Sequence, residues 1–313
     1  MLGVLTMEKR LVVPKRLQLE TFYGCNAKCV MCAIRLPPTR KIGAMPLEMS
    51  KKVLDEMAPY ADRMEKLDFF GLGEPMLDPF LYDRVRYAKS KGFKSIGIST
   101  NADLFNEDRQ RKLLEAGIDA VIISIDGIKK ETHEEIRKNV KYERVVSNAI
   151  NFIKMRNEGN YPVRIVVRFI RQKRNAGEWE EYKEFWKPKL SKQRGDKLMV
   201  YDVNTMGGGF SSKEELVAKL HMDIERKPCY MVFDRLIVLV DGTVPLCCED
   251  TPQATYRLGN VNEASPIDIY NNEAFTKIRE THREGNKNSM ELCKECTVLY
   301  SGQFQQNVEL EGS

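Results

Sequence analysis

The chain's reactive side chains fall into two sets of cysteines. Cys25, Cys29 and Cys32 lie in the twelve-residue stretch YGCNAKCVMCAI, spaced Cys-x3-Cys-x2-Cys. A four-iron, four-sulfur cube takes up to four thiolates, one per iron. A set of three leaves one iron without a protein ligand, free to bind a substrate or cofactor. Structural zinc is the competing reading, but it asks for four closed ligands, and the chain offers only His133, His221 and His282 beyond its thiols. Three unrelated buried cysteines are the plain alternative.

The remaining five cysteines, Cys229, Cys247, Cys248, Cys293 and Cys296, lie in the last hundred residues. Cys229-x17-Cys247 and Cys293-x2-Cys296 supply four thiolates, enough to close a cube or a zinc ion completely. A cube with four protein ligands has no open iron, so its work is electron transfer or building the site. Cys248 is left over, next to a ligand candidate.

Composition narrows the setting of these thiols. The 313 residues are 42% hydrophobic and 30% charged, enough for one large domain or a large and a small one. No window approaches eighteen apolar residues, so no membrane helix is predicted. The opening MLGVLTMEKRLVVPKR lacks the order of a signal peptide, which predicts a cytoplasmic location. There, clustered cysteines serve metals or catalysis rather than disulfides. The net charge of +5 comes from 50 basic and 45 acidic residues that mix along solvated faces. No recognition motif or aromatic–basic interleaving supports a nucleic-acid interface.

The elements that must position the cysteines alternate. RLQLETF (16–22), MEKLDFF (64–70), SIGIST (95–100), AVIISID (120–126), VRIVVRF (163–169) and KLMVYDV (197–203) read as six strands. Helical patterns separate them: LEMSKKVLDEMA, PFLYDRVRYAKSKG, EDRQRKLLEAG, one long stretch from the 130s to the 150s, and GEWEEYKEFWKPKL. Gly92 and Gly117 stand where helix stops belong. Such alternation predicts an α/β fold, a parallel sheet covered by helices, and six units favour an open or partial barrel over a closed eight-fold one. Functional residues of such sheets collect at the carboxyl ends of strands. The cysteine loop, GLGEP, TNA and SIDG follow or end the first four strands in turn.

MGGGFSSKEE (206–215) is the clearest boundary. Beyond it, RLIVLVDGTVPLCC (235–248) reads as a hairpin around Asp241-Gly242. The expected organisation is a barrel over 1–205, a linker over 206–228, a cysteine module over 229–302 and a tail over 303–313.

CNAKCVMC followed in order by GLGEP, ISTNA and ISIDG resembles the signature of the radical S-adenosylmethionine (radical SAM) enzymes across most of residues 16–205. The resemblance implies a partial (β/α)6 barrel and a [4Fe–4S] cluster on Cys25, Cys29 and Cys32 whose open iron chelates SAM. Reductive cleavage of SAM then gives a 5'-deoxyadenosyl radical that abstracts a hydrogen atom. Gly73, Glu74 and Pro75 match the segment whose backbone holds the SAM amino group. Thr100 and Asn101 stand on the ribose side, and Ser124 with Arg137 on the following helix match the pair that engages ribose and carboxylate. An arginine suits a carboxylate through its two-pronged fork. The plain alternatives are that Glu74 caps a helix, Asn101 forms a turn and Arg137 is a surface charge. The family usually has an aromatic where this chain has Met31, and a thioether fills that space.

Cys229, Cys247, Cys293 and Cys296, with GNVNEASPIDIYNNEAF between them, resemble the shortened SPASM module called a twitch domain. That resemblance implies one auxiliary [4Fe–4S] cluster. A radical enzyme acting on an unactivated C–H bond of a natural product is therefore expected, with a flavodoxin or ferredoxin as reductant. Cys248 is the candidate hydrogen-atom donor for epimerisation, as in the neomycin-type epimerase, because an S–H bond is weaker than most C–H bonds. The alternatives are oxidation of an aminocyclitol or sugar alcohol, with the electron lost to the auxiliary cluster, and modification of a ribosomal peptide. A zinc-stabilised binding protein is the non-enzymatic alternative. Glu249 and Asp250 are read as solvated or turn residues before bases.

Overall fold

Leu-, Ile- and Val-rich strands form the centre of the protein, and a computed structural model describes residues 11–205, 227–294, 296–297, 306–308 and 310. The expected linker, apart from its last two residues, and most of the expected tail lie outside them. The strands are β1 (Arg16–Leu19), β2 (Lys66–Asp68), β3 (Ile96–Thr100), β4 (Ala120–Ser124), β5 (Arg164–Arg171), β6 (Lys197–Asp202) and β7 (Arg235–Val238). β8 (Thr243–Pro245), β9 (Arg257–Asn260) and β10 (Gln306–Val308) follow. The main sheet runs β7-β1-β2-β3-β4-β5-β6-β10, parallel except for β10, which lies antiparallel on β6. This is the expected parallel sheet of a partial barrel, with one strand more than the alternation implies.

The extra parallel strand corrects the hairpin expected at 235–248. Arg235–Val238 does not pair with the strand after Asp241-Gly242. It adds to the barrel edge, Arg16 opposite Arg235 and Leu19 opposite Val238. Thr243–Pro245 instead pairs antiparallel with Arg257–Asn260. The Asp-Gly turn still forms, closed by the Leu239 N–H on the Thr243 carbonyl at 2.9 Å. Burial explains the choice: Leu236 and Val238 are fully buried on the β1 edge, a gain that an isolated two-strand hairpin does not offer.

The helices that cover the sheet are α1 (Leu47–Met57), α2 (Leu81–Ser90), α3 (Glu107–Glu115), α4 (Lys130–Ile136), α5 (Tyr142–Glu158) and α6 (Trp179–Trp186). Their buried residues recur every three or four positions, as Val145, Ala149, Phe152 and Ile153 do on α5, so each helix buries one face. Gly92 and Gly117 end α2 and α3 at φ +83° and +86°, the left-handed conformation of a helix stop. The single long helix expected from the 130s to the 150s is two. Arg137–Lys138 leaves the helix to pair with Lys28–Cys29, and Asn139 turns the chain at φ 71°.

Alternation along the strands sorts the sheet into two unlike faces. Leu17, Leu67, Ile98, Val121, Val167, Val200 and Leu236 face the helices and are almost fully buried. The register places Gln18, Asp68, Ser99, Ser124, Arg168, Tyr201 and Arg235 on the other face. That inner face curls on itself. Six strand spacings separate β7 from β6, about 29 Å in a flat sheet. Yet Arg235 and Arg16 join Arg168 in opposing the upward push that burial gives the Tyr201 hydroxyl.

Candidate active site

The first cysteine set sits where β1 releases the chain. Phe22–Tyr23 pairs with Gly43–Ala44, and Lys28–Cys29 pairs with Arg137–Lys138, so the loop is tied at both ends. The Ala27 N–H donates to the Cys25 sulfur at 3.3 Å. Cys29 is 6% exposed, while Cys25 and Cys32 are half-buried. Burial first, then the Glu74 carboxylate, pushes Cys25 up to about 12. Burial also raises Cys29 to about 12, with Arg137 opposing, and raises Cys32. Thiols so buried hold their protons until a metal displaces them. Together with cationic Arg137 beside Cys29, whose Nη1 reaches the sulfur at 3.8 Å, the donor set suits an anionic thiolate cluster.

The GLGEP and TNA segments meet this loop. The Glu74 N–H donates to the Gly24 carbonyl at 2.9 Å, and a Cβ on Gly73 would stand 2.1 Å from the Phe22 carbonyl oxygen. Only glycine allows that approach. The buried Glu74 carboxylate accepts from the Met76 N–H at 3.1 Å, the Thr100 hydroxyl at 2.7 Å and the Asn101 N–H at 2.8 Å. It caps the short turn Pro75–Leu77 and at the same time locks the second strand's loop to the third's. Asn101 is likewise both things at once. Its carbonyl accepts from the Asp103 N–H at 3.0 Å in a turn, and its amide donates to Asn26 at 2.9 Å and to the Cys25 sulfur at 3.6 Å.

Ser124 ends β4 and is 2% exposed. Arg137 is not on the helix, as expected, but one residue past it, and at 6% exposure it is no surface charge. Its Nη2 pairs with Asp126 at 2.7 Å. Arg168 of β5 donates to the Ser124 hydroxyl at 2.7 Å and to the Ser99 hydroxyl at 3.0 Å. Met31 is buried at 7% exposure in the core. The loop, GLGEP, TNA and SIDG thus gather on one rim.

The second set surrounds a cavity lined by Cys229, Cys247, Cys293 and Cys296 together with Met231, Glu249 and His282. Four thiols around one void fit a fully cysteine-ligated cluster. Burial raises Cys229, Cys247 and Cys293, the last to about 12. His282 is fully buried. Its Nδ1 accepts from the Cys229 N–H at 3.2 Å, which leaves the proton on Nε2, 3.7 Å from the Cys293 sulfur. Cys248 does not line the cavity. Its thiol lies 3.4 Å from the Met231 sulfur and 3.5 Å from Glu249 Oε1, and Arg235 Nη1 donates to it at 3.7 Å. It packs against Ile237 and Leu239, the inner face of the barrel edge. Glu249 and Asp250 are buried rather than solvated. Asp250 organises the turn, accepting from the Leu246, Thr255 and Tyr256 N–H groups.

Glu20, Arg168, Tyr201 and His282 were not singled out by sequence. Glu20 and Arg168 carried a signal, a charge in or just after an otherwise apolar strand. Tyr201 and His282 carried none, because their partners are distant in the chain. Thr205, after β6, and Thr297 join the end of the barrel sheet to the second cysteine region through the Thr205 N–H on the Thr297 hydroxyl at 2.9 Å.

Comparison with known proteins agrees with this layout. Residues 19–167 match the model of the radical SAM superfamily, and residues 229–297 match SPASM, an iron–sulfur cluster-binding domain. The chain is 26% identical to the tungsten-containing aldehyde ferredoxin oxidoreductase cofactor-modifying protein of Pyrococcus furiosus, over 95% of this chain and 91% of that one. It is 22% identical to the S-adenosyl-L-methionine-dependent 2-deoxy-scyllo-inosamine dehydrogenase of Niallia circulans, over 90% and 91%. The crystal structure of BtrN in complex with AdoMet and 2-DOIA shares the fold at TM-score 0.62 and 20% identity, over 91% and 93%. The two domains indicate a SAM-binding [4Fe–4S] cluster and an auxiliary cluster. The chain thus carries a radical SAM domain followed by a SPASM domain, an iron–sulfur cluster-binding domain.

Proposed function

We propose that the protein is a radical SAM dehydrogenase that oxidises a hydroxyl-bearing carbon of a polar small molecule held inside the barrel. The observation that carries this reading is the division between two adjacent residues. Cys247 lines the four-cysteine cavity, while Cys248 packs on the inner face of β7 beside Arg235. A substrate in the barrel therefore lies one residue's breadth from the auxiliary site. Whole-length similarity to an aminocyclitol dehydrogenase supports the same outcome.

When bound, SAM and the two clusters supply a hydrogen-abstracting 5'-deoxyadenosyl radical and an acceptor for one electron. The chain's own residues do the rest. Cys25, Cys29 and Cys32 hold the first cluster, and Cys229, Cys247, Cys293 and Cys296 the second. Gly73, Glu74 and Pro75 present the backbone that receives the SAM amino group, with Glu74 fixed by Thr100 and Asn101. Ser124 and Arg137 serve its ribose and carboxylate. Loss of a hydrogen atom, one electron and the hydroxyl proton converts the alcohol to a ketone. Asp68, an inner-face carboxylate paired with Lys66, is the proton acceptor we infer, its pKa raised by burial. A flavodoxin or ferredoxin is the electron donor we infer.

Epimerisation with Cys248 as hydrogen-atom donor is the second reading, favoured by the thiol's place beside Arg235. Reconstituted enzyme with SAM, reductant and 2-deoxy-scyllo-inosamine or related polyols as probes separates the two. A dehydrogenase gives a product two mass units lighter, one 5'-deoxyadenosine per product, and keeps doing so as Cys248→Ala. A product of unchanged mass that carries solvent hydrogen, and disappears in Cys248→Ala, overturns the dehydrogenase in favour of the epimerase.

A further inference from the structure

The inner face of the barrel holds more positive charge than it neutralises. Lys66 pairs with Asp68 at 2.8 Å, and Arg16 approaches Asp234 at 3.8 Å. Arg168 and Arg235 make no ion pair among the described residues. Among the described residues Arg168 is satisfied only by the hydroxyls of Ser99 and Ser124, and its buried Nε has no partner there. The buried Nε of Arg235 has none either, and its Nη1 reaches only the weak acceptor sulfur of Cys248. Both act on the hydroxyl of Tyr201, which lies on β6, the strand next to Arg168's β5.

Burying a guanidinium without a counter-ion is costly. Burial and the nearby Arg137 make the charged form of Arg168 harder to hold than usual. Neither makes a direct ion pair among the described residues, Asp126 acting on Arg168 and Asp234 and Asp68 on Arg235 only from a distance, so two guanidinium forks on the wall of a barrel that receives substrate are open to an anion. An arginine fork matches the two oxygens of a carboxylate or phosphate.

We propose that the substrate carries a compact oxyanion, a carboxylate or a phosphate, and that Arg168 and Arg235 bind it against the inner wall of the barrel near Tyr201. The proposal rests on the reading above only in placing the substrate in the barrel. It sets this chain apart from a relative named for an amine-bearing substrate, 2-deoxy-scyllo-inosamine.

The test is calorimetric titration of the anaerobic holoenzyme, saturated with SAM, with inorganic phosphate and separately with malonate. Saturating SAM fills its own carboxylate site, so the probes report a second one. At least one probe binds, the tighter of the two naming the source of the oxyanion. Arg168→Gln and Arg235→Gln each weaken that binding by about tenfold or more, Arg168→Lys weakens it less, and Arg235→Gln leaves SAM affinity unchanged. Iron content confirms that each variant is assembled; should Arg168→Gln fail to assemble, Arg168→Lys and Arg235→Gln decide. Absence of binding by both probes overturns the proposal, as does equal affinity in the assembled variants. Loss of SAM affinity in Arg168→Gln with probe binding intact also overturns it, assigning Arg168 to the SAM carboxylate. Because binding is read without turnover, failure of the dehydrogenase reading would leave this result standing, and the reverse holds too.

Discussion

Glu20 and Arg40 form a buried two-pronged ion pair, with Oε2 2.5 Å from Nη1 and Oε1 3.2 Å from Nη2. The Glu20 carboxylate also accepts from the Leu72 N–H at 3.1 Å and the Val240 N–H at 3.3 Å. Arg40 reaches on to the Thr251 carbonyl at 2.8 Å and lies over the Tyr23 ring. One carboxylate at the end of β1 thus ties the first cysteine loop, the GLGEP segment and the second cysteine region together. Replacing it as Glu20→Gln leaves the Arg40 charge buried without its partner, which costs about 3–5 kcal/mol. Denaturant unfolding of the anaerobic holoenzyme reads this. A loss under about 1 kcal/mol, the range of exposed pairs, would mean the junction is held elsewhere.

The contact of Gly73 with the cysteine loop makes Gly73→Ala a sensitive variant. Its methyl group would overlap the Phe22 carbonyl and crowd the Gly24 carbonyl at 2.9 Å, so the loop must separate from GLGEP. SAM affinity, followed by calorimetry, should fall by about tenfold or more, while the second cysteine set keeps its iron. Wild-type affinity in this variant contradicts a role for the segment in holding SAM.

His282 gives its Nε2 proton to the Cys293 sulfur. Hydrogen bonds to cluster sulfurs raise reduction potentials, so His282→Phe should shift the auxiliary cluster to a lower potential with full iron content. Redox titration by electron paramagnetic resonance decides it. A potential equal to the wild type's would make the histidine a packing residue only.

His133 supplies the pH dependence. Its Nδ1 accepts from the Asp126 N–H at 3.2 Å, and burial, then Arg137, pushes it down to about 3 from 6.5. The folded protein therefore keeps it neutral where the unfolded chain takes up a proton. That contribution to stability is present above 6.5 and is lost as pH falls toward 3, at about 1.4 kcal/mol per unit. His133→Gln should be less stable at neutral pH, with the difference from wild type shrinking between about pH 7 and about pH 5. A difference that stays constant with pH refutes the assignment.

Much of the site was legible because it is local. The CNAKCVMC spacing, the glycine and glutamate of GLGEP, and Asn101 of TNA lie in short segments directly after strands. The strand pattern alone puts such segments on one rim. The expected hairpin at 235–248 failed for the opposite reason. Arg235–Val238 is rich in β-branched and apolar residues and precedes an Asp-Gly turn, which are hairpin signals, but the open edge of β1 is the better partner, and no local residue announces it. Arg137 was read as helical because the pattern runs on through it; pairing with Lys28–Cys29, a hundred residues earlier, removes it from the helix.

The sequence by itself determined the donor chemistry, three thiols and then four, and the alternation of strands and helices that carries them. Only the tertiary structure decided that β7 closes onto β1, that Cys247 lines the four-cysteine cavity while Cys248 packs on β7, and that Arg168 and Arg235 make no ion pair among the described residues. Those outcomes depend on strand pairing and packing among residues far apart in the chain rather than on any neighbouring pair.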